Sequence, residues 1–296
     1  MDNDMIKKRE EGKKREGKKR GNGLVLLPTL LFAGMLLVCM LVSIVKPKSD
    51  FSIAENRALQ ELPEFSIDGI LQGDVQEEYE DYLSDQFFGR EKFTALCTKL
   101  KCSFGRKDIN DVYLGTDGYL LEKYQASDFD RTQVEDNLFY LSGFLKDSVK
   151  ELGKDHVRML FIPSKATVLS SYLPKHARAY DTGYVPEQMQ EEMSLAEEKG
   201  MVGSEVLDLT NSLCKHEEEY IYYRTDHHWT TLGAYYAYCA YRESLGQSAP
   251  ALSEYEQKVV SSDFLGTSYD KLQRREKMDE IRCFTYIGQN ETSSKA

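Results

Sequence analysis

The chain is poor in the residues that build metal sites and disulfide frameworks, with six cysteines, five histidines and one tryptophan among 296 residues. The cysteines form no Cys-x-x-Cys pair and no Cys/His spacing typical of zinc, and outside an apolar run near the N-terminus their number is odd. Cys97 and Cys102 could form one bridge, or could equally be two thiols packed on one helix. The composition therefore predicts neither a dense disulfide framework nor a bound metal or cofactor.

Basic residues are scarce outside the first 23 positions. Residues 1–23 hold nine Lys or Arg and five acidic residues, and this run is too polar to bury a core. Subtracting them from the 38 basic and 49 acidic residues of the whole chain leaves 29 and 44, a formal charge of −15. Nucleic-acid binding needs a basic surface, so this balance argues against a nucleic-acid partner.

A long uncharged run, Leu24–Val45, separates the basic tail from the rest of the chain. Its 22 residues would form a helix of about 33 Å, enough to cross a bilayer. A secretory signal has a shorter apolar region followed by a small-residue cleavage site, whereas this run ends at Lys46-Pro47-Lys48. We therefore predict an uncleaved, single-pass signal anchor in the cell membrane with the basic N-terminus in the cytoplasm. The predicted parts are a cytoplasmic tail (1–23), a transmembrane anchor (24–45), a turn-rich connector (46–66) and an extracytoplasmic domain (67–296).

Hydrophobic periodicity and turn residues predict a mixture of helices and strands in that domain. The first predicted elements are helices over 74–105 and a hairpin over Asp111–Glu122. A helix capped by Ser127 or Asp128 then runs to Leu152, ends at Gly153 and buries Leu138, Leu141, Phe144 and Leu145. The remaining predicted elements are strands over Val157–Pro163, Glu205–Leu209 and Tyr220–Tyr223 and helices over Pro186–Gly200 and Leu232–Leu245. Strands that alternate with helices after residue 127 predict a layered α/β fold with a mainly parallel sheet.

The segment Thr225-Asp226-His227-His228-Trp229-Thr230-Thr231 lies between the predicted strand Tyr220–Tyr223 and the helix that follows. An Asp-x-His pair orients an imidazole so that it can act as a general base for a hydroxyl nucleophile. A structural alternative is that Asp226 caps the helix and His228 is a hydrogen-bonded core residue. Metal binding is disfavoured because three adjacent residues do not easily supply three ligands. A DHH-type phosphoesterase would need further aspartate clusters, which are not found.

This segment, Thr225–Tyr238, looks like the signature of the DHHW protein family. The resemblance to this family runs from about residue 50 to 290. Other segments that match the family pattern are Glu55-Asn56-Arg57, Leu62-Pro63, Tyr82–Arg90, Tyr113–Leu120 and Ile162–Ala166. The family resembles the alginate O-acetyltransferase group, and this resemblance implies an SGNH-hydrolase-like domain with a permuted order. It also implies that Asp226 orients the imidazole and that His228 is the base, with no assigned role for His227.

The nucleophile is the open part of this interpretation. Gly266-Thr267-Ser268-Tyr269 is similar to the element that holds the serine in the alginate group, so Ser268 is a candidate. Ser268 follows His228 by only 40 positions, and the preceding segment is mostly polar. The resemblance implies a serine much later, after a buried strand, so the chain is expected to be incomplete at its C-terminus. The alternatives are Ser268 itself or a chain without a nucleophile, while Ser164 beside Lys165 fits a simple loop at a strand end.

The resemblance implies an O-acyltransferase or esterase that acts on a cell-surface polysaccharide, supplied with acyl groups by a multi-span membrane acyltransferase. The alternative is a non-catalytic polysaccharide-binding or assembly protein of the same fold. The 19 tyrosines fit either function, since they could line a sugar groove or lie at the edge of the core.

Overall fold

The computed structural model describes residues 26–52, 57–198, 205–274 and 277–288. The chain divides into two compact units, one of Met1–Ser52 with Arg57–Phe93 and one of Ile53–Asn56 with Thr94–Ala296. The predicted tail 1–23 and Glu55-Asn56 of the family pattern lie outside the described residues.

The first unit begins with an apolar helix, α1 (Leu26–Val45), near the N-terminus. Its side chains are almost all exposed, and in the described part of the chain it alone is long and apolar enough to cross a membrane. Such a helix is typical of a signal anchor or of a signal sequence.

Short elements make up the rest of the first unit. Strand β1 (Phe51–Ser52) pairs with β2 (Arg57–Ala58), and the helices α2 (Ile67–Gln72) and α3 (Asp74–Asp85) follow. Gly73 joins the two helices with a φ of 95°, a left-handed conformation that glycine adopts without steric cost. The helices predicted over 74–105 are confirmed by α3 together with α4 (Arg90–Ser103).

The second unit opens with an antiparallel sheet of β3 (Asp108–Ile109), β4 (Val112–Leu114) and β5 (Leu120–Glu122). The hairpin predicted over Asp111–Glu122 is confirmed, with Leu114 opposite Leu120. All three residues of β5 are buried, which places the carboxylate of Glu122 inside the unit.

Helix α5 (Arg131–Leu152) begins later than predicted. The carboxylate of Asp130 accepts a hydrogen bond from the backbone N–H of Thr132 at 2.9 Å and caps the helix, whereas Ser127 and Asp128 belong to a preceding 3-10 turn. Asp128 accepts from the backbone N–H of Gln125, so its carboxylate is used by that turn. The end at Gly153 is confirmed.

The predicted buried face of α5 is only partly correct. Leu138 and Leu145 are buried and Leu141 is half-buried, but Phe144 is 66% exposed. Phe144 lies next to Leu145 on the helix, and one position turns a side chain by about 100°, away from the face that α7 covers.

A parallel strand pair follows α5. Strand β6 (Arg158–Phe161) pairs with β7 (Glu205–Asp208), and between them lie α6 (Lys165–Val168) and α7 (Tyr184–Glu198). Both predicted strands and the helix between them are confirmed, although Gly200 at the predicted helix end lies outside the described residues. The short helix α8 (Thr210–Cys214) and the longer helix α9 (Thr231–Ser244) complete this region.

The fold is mixed α/β, but the prediction of a mainly parallel sheet is wrong. Within the described residues only β6 and β7 pair in parallel, and the other sheets are antiparallel. Strands β8 (Tyr255–Phe264) and β9 (Asp279–Tyr286) form a long antiparallel ribbon on either side of the short helix α10 (Thr267–Asp270). Most residues of the ribbon are exposed or half-buried, with Asp279 buried at the start of β9, so its sequence carries no regular apolar alternation from which to predict it.

The strand predicted over Tyr220–Tyr223 is also wrong. This segment is a loop with one isolated bridge between Tyr222 and Trp229. Tyr222 is buried because its ring fills the core and its hydroxyl donates to the carbonyl oxygen of Pro163, and that burial produced the strand-like pattern. The core beneath this loop consists of Tyr119, Leu121, Ala166, Val168, Leu169, Leu209, Leu213, Ile221, Tyr222 and Ala237.

The six cysteines all lie in described residues, and the structure pairs none of them. Cys97 and Cys102, the pair for which a bridge was one alternative, are separate thiols on α4.

Candidate catalytic site

A tight loop presents the Asp-x-His residues. The backbone N–H of Thr230 donates to the carbonyl of Ile221, and that of Tyr223 donates to the carbonyl of His228, so the two ends of the loop are joined. Thr230 then caps α9, accepting from the backbone N–H of Gly233 at 3.3 Å. The residues from Arg224 to His227 form the tip of the loop.

The structure brings Asp226 and His228 together. One carboxylate oxygen of Asp226, Oδ1, lies 2.6 Å from Nδ1 of His228 and accepts from the backbone N–H of His228 at 2.8 Å. Asp226 is 4% exposed, whereas the His228 side chain is 66% exposed. A hydrogen bond at Nδ1 fixes the tautomer in which the other ring nitrogen can accept a proton. The pair thus has a buried acid that orients an accessible imidazole.

The second carboxylate oxygen of Asp226 is held by α10. Oδ2 accepts from the backbone N–H of Thr267 at 2.9 Å and from its hydroxyl at 3.2 Å. Burial opposes ionisation of Asp226, but the hydrogen bonds from Thr267 and His228 outweigh it and lower the pKa of Asp226 to about 2. Asp226 is therefore ionised at neutral pH and can stabilise a protonated His228.

His227, to which the family resemblance assigns no role, lies beside the pair. Its Nδ1 is 2.8 Å from the hydroxyl of Thr267, and its ring centroid is 3.9 Å from that of His228. Single ligand atoms of Asp226, His227 and His228 all lie within 4.8 Å of one another, so these three residues could hold a metal ion. Because Asp226 already hydrogen bonds to His228 and Thr267, a metal would have to displace those bonds.

The structure places the candidate nucleophile away from the imidazole. Ser268 is 1% exposed, and its hydroxyl donates to the carboxylate of Glu122 on β5. Its neighbour Thr267, rather than Ser268, supplies the hydroxyl at Asp226. Ser164 accepts from the backbone N–H of Thr167 and caps α6, which matches the simple structural interpretation of that residue.

Two buried charged residues support the loop through contacts that were not predicted from the sequence. Asp279, at the start of β9, is fully buried and accepts from the hydroxyl of Tyr220, the backbone N–H of Arg224 and both the N–H and hydroxyl of Thr225. Lys165, at the start of α6, lies beneath the same loop. Asp279 stands in no motif, and Lys165 lies in the Ile162–Ala166 segment of the family resemblance without a predicted contact to the loop, so only the three-dimensional structure reveals their contacts.

The site is thus a buried aspartate hydrogen bonded to an exposed histidine, on a loop of a mixed α/β unit. The family model of the DHHW protein matches residues 201–281, which include the loop, α9, β8 and α10. The predicted resemblance to the DHHW family is confirmed by this match.

Several solved structures are similar to the chain. Among them are a DHHW family protein from Eubacterium siraeum (24% identity, TM-score 0.46, 60% of this chain and 55% of that one), the O-acetyltransferase domain of Pseudomonas putida AlgJ (21%, 0.43, 59% and 64%) and Bacillus cereus PatB1 with a sulfonyl adduct (19%, 0.43, 60% and 58%). The aligned part thus spans little more than half of the length of these structures. No curated protein matches the chain.

Proposed function

We propose that the chain is a membrane-anchored, extracytoplasmic O-acyltransferase or esterase with an SGNH-hydrolase-like domain that acts on a cell-surface polysaccharide. The observation that carries the proposal is the hydrogen bond between the buried, ionised Asp226 and the exposed His228. The match to the DHHW family over the same residues supports it.

In this proposal His228 accepts the proton of a serine hydroxyl as the serine oxygen bonds to the acyl carbon of the donor. Asp226 stabilises the imidazolium that forms. The imidazolium then protonates the leaving group, and an acyl-serine remains. A sugar hydroxyl, or water in the esterase reaction, gives its proton to His228 as its oxygen bonds to the acyl carbon. The bond between the acyl carbon and the serine oxygen then breaks, and His228 returns the proton to the serine oxygen.

Ser268 is the proposed nucleophile within this sequence. Its hydroxyl donates to Glu122, so it would have to leave that bond and turn toward His228 before it could react. If a Ser268→Ala variant still transfers acyl groups, the nucleophile is another hydroxyl group, and the proposed roles of Asp226 and His228 are unchanged.

The proposed location is the cell membrane, with α1 as a single-pass anchor and the N-terminus in the cytoplasm. The apolar, exposed surface of α1 supports the anchor. A multi-span membrane acyltransferase is the proposed source of the acyl groups, because an extracytoplasmic enzyme needs a donor from across the membrane.

The test is acyl transfer from 4-nitrophenyl acetate to water and to an oligosaccharide, catalysed by the full chain in membranes. His228→Ala is expected to lower the rate by about 10²- to 10⁴-fold, the usual contribution of a general base. His227→Ala removes the imidazole next to His228 and is the matched control. Its rate of acyl transfer should stay within a few-fold of the wild-type rate. A wild-type rate for His228→Ala would remove the proposal.

A non-catalytic polysaccharide-binding protein is the second candidate, and the bond between Ser268 and Glu122 favours it. It predicts that His228→Ala lowers the melting temperature and leaves polymer acetylation unchanged. Loss of acetylation at an unchanged melting temperature would eliminate this candidate.

A further inference from the structure

A buried lysine lies under the loop that carries Asp226 and His228. Lys165 is 1% exposed, and its amino group donates to the carbonyl oxygen of Asp226 at 2.6 Å and to that of Tyr223 at 3.3 Å. Within the described residues these backbone carbonyls are the hydrogen-bond acceptors of Lys165. The side chain of Lys165 therefore extends through buried surroundings from the start of α6 to the backbone of the loop.

Burial of this amine is unfavourable in itself. Loss of solvation lowers the pKa of Lys165, against the attraction of the nearby carboxylates of Glu122, Asp226 and Asp279. A methionine would fill nearly the same space without this penalty, but it could not donate a hydrogen bond. The amine of Lys165 thus contributes two hydrogen bonds, to the carbonyls of Tyr223 and Asp226, that a methionine could not make.

The two carbonyls belong to the parts of the loop that set the position of His228. One is that of Asp226, whose side chain orients the imidazole. The other is that of Tyr223, whose backbone N–H donates to the carbonyl of His228 at 3.2 Å. Asp279 holds Arg224 and Thr225, which lie between these points. Lys165 thus holds the carbonyl groups of Tyr223 and Asp226, and Asp279 holds the backbone N–H groups of the two residues between them.

We propose that Lys165 is a positioning residue that holds the Asp226–His228 pair in its productive geometry through the loop backbone. The proposal rests on the function proposed above and deepens it. The amine of Lys165 bonds to backbone carbonyls of the loop, so its proposed effect is on the orientation of His228 rather than on substrate binding.

The experiment compares Lys165→Met, which keeps the volume and loses the donor, with Lys165→Gln, which keeps an N–H donor. Lys154→Met, at an exposed lysine that pairs with Glu197, is the control. Kinetics of acyl transfer give kcat and KM for the full chain. In parallel, ¹⁵N NMR of labelled histidine follows the Nδ1–H signal of His228 and its titration with pH.

We expect Lys165→Met to lower kcat by 10- to 100-fold with KM within two-fold of wild type, and to broaden or remove the Nδ1–H signal of His228. Lys165→Gln should recover part of both, and Lys154→Met should match wild type. A wild-type kcat and an unchanged His228 signal in Lys165→Met would overturn the proposal.

Two further outcomes are decisive. If the wild-type chain shows no acyl transfer, the proposed function fails, and the His228 signal in Lys165→Met still supports or overturns the positioning role. If Lys165→Met does not fold, a folded Lys165→Gln with a normal His228 signal supports the role of the donor. An unfolded Lys165→Gln would instead make Lys165 a general core residue and overturn the proposal.

Discussion

Gly266 approaches the side chain of Asp226 more closely than any other residue type could. A Cβ at position 266 would lie 2.2 Å from the Cβ of Asp226 and 2.4 Å from its Oδ2. The φ of Gly266 is −105°, so the requirement is one of space and not of backbone conformation. The glycine allows α10 to reach the carboxylate and to donate the backbone N–H of Thr267.

Gly266→Ala is therefore expected to push α10 away from Asp226, lowering stability by about 1 to 3 kcal/mol and acyl transfer by about ten-fold or more. Gly143→Ala, in α5 with open space around it, is the control and should be neutral or slightly stabilising. Chemical denaturation and initial rates measure the two effects. Equal stability for the two variants would contradict the close contact.

The low pKa of Asp226 predicts a pH-dependent contribution to stability. A carboxyl whose folded-state pKa is about 2 stabilises the fold fully above its unfolded value of about 4, and this contribution is lost as the pH falls from 4 toward 2. The size is about 2 kcal/mol, since the carboxylate is almost fully buried. The stability difference between wild type and Asp226→Asn, from denaturation at pH 6 and pH 2, should shrink by about that amount. A difference independent of pH would contradict the prediction.

At the residue scale the sequence predicted local contacts and missed distant ones. Asp226 and His228 are two positions apart, so their spacing alone suggests the hydrogen bond that the structure contains. Lys165 meets Asp226 across 61 positions, and Ser268 meets Glu122 across 146. No periodicity connects residues so far apart, and only the packing of the unit brings them together.

At the element scale the outcome depends on whether an element buries one face. The hairpin of β4 and β5 and the helices α5 and α9 were predicted because buried and half-buried residues recur in them at a regular spacing. The pair β6 and β7 was predicted from short apolar runs, which the structure leaves half-buried. The ribbon of β8 and β9 was missed because most of its residues are exposed or half-buried and no regular apolar spacing marks it. The strand predicted over Tyr220–Tyr223 failed since its buried tyrosine belongs to a loop.

The start of α5 can be tested by removing its cap. Asp130→Ala should destabilise the second unit by about 1 kcal/mol, because the backbone N–H groups of Thr132 and Gln133 lose their acceptor. Ser127→Ala, at the position first suggested as a cap, should change stability by less than half as much. Denaturation with urea provides both values, and an equal loss in the two variants would favour the earlier start.

At the scale of the whole molecule, the apolar α1 and the acidic remainder of the chain predict opposite surroundings for its two ends. Two exposed cysteines, Cys97 and Cys283, offer natural probes of the proposed topology. A membrane-impermeant maleimide should label them in intact spheroplasts, and the chain should stay with the membrane after carbonate extraction. Release of the chain into the medium, or labelling only after permeabilisation, would contradict a signal anchor.

The ribbon of β8 and β9 ends at the pair of Phe264 and Asp279, immediately beside the loop. From one strand end the chain passes to Thr267, whose backbone N–H donates to Asp226, and at the other end Asp279 accepts from Thr225. We therefore expect the ribbon and the loop to open as one cooperative unit. In native-state hydrogen exchange, the amides of Thr225, Thr267 and His228 should open with the same free energy as those at the base of the ribbon, so loosening the ribbon would also release the histidine.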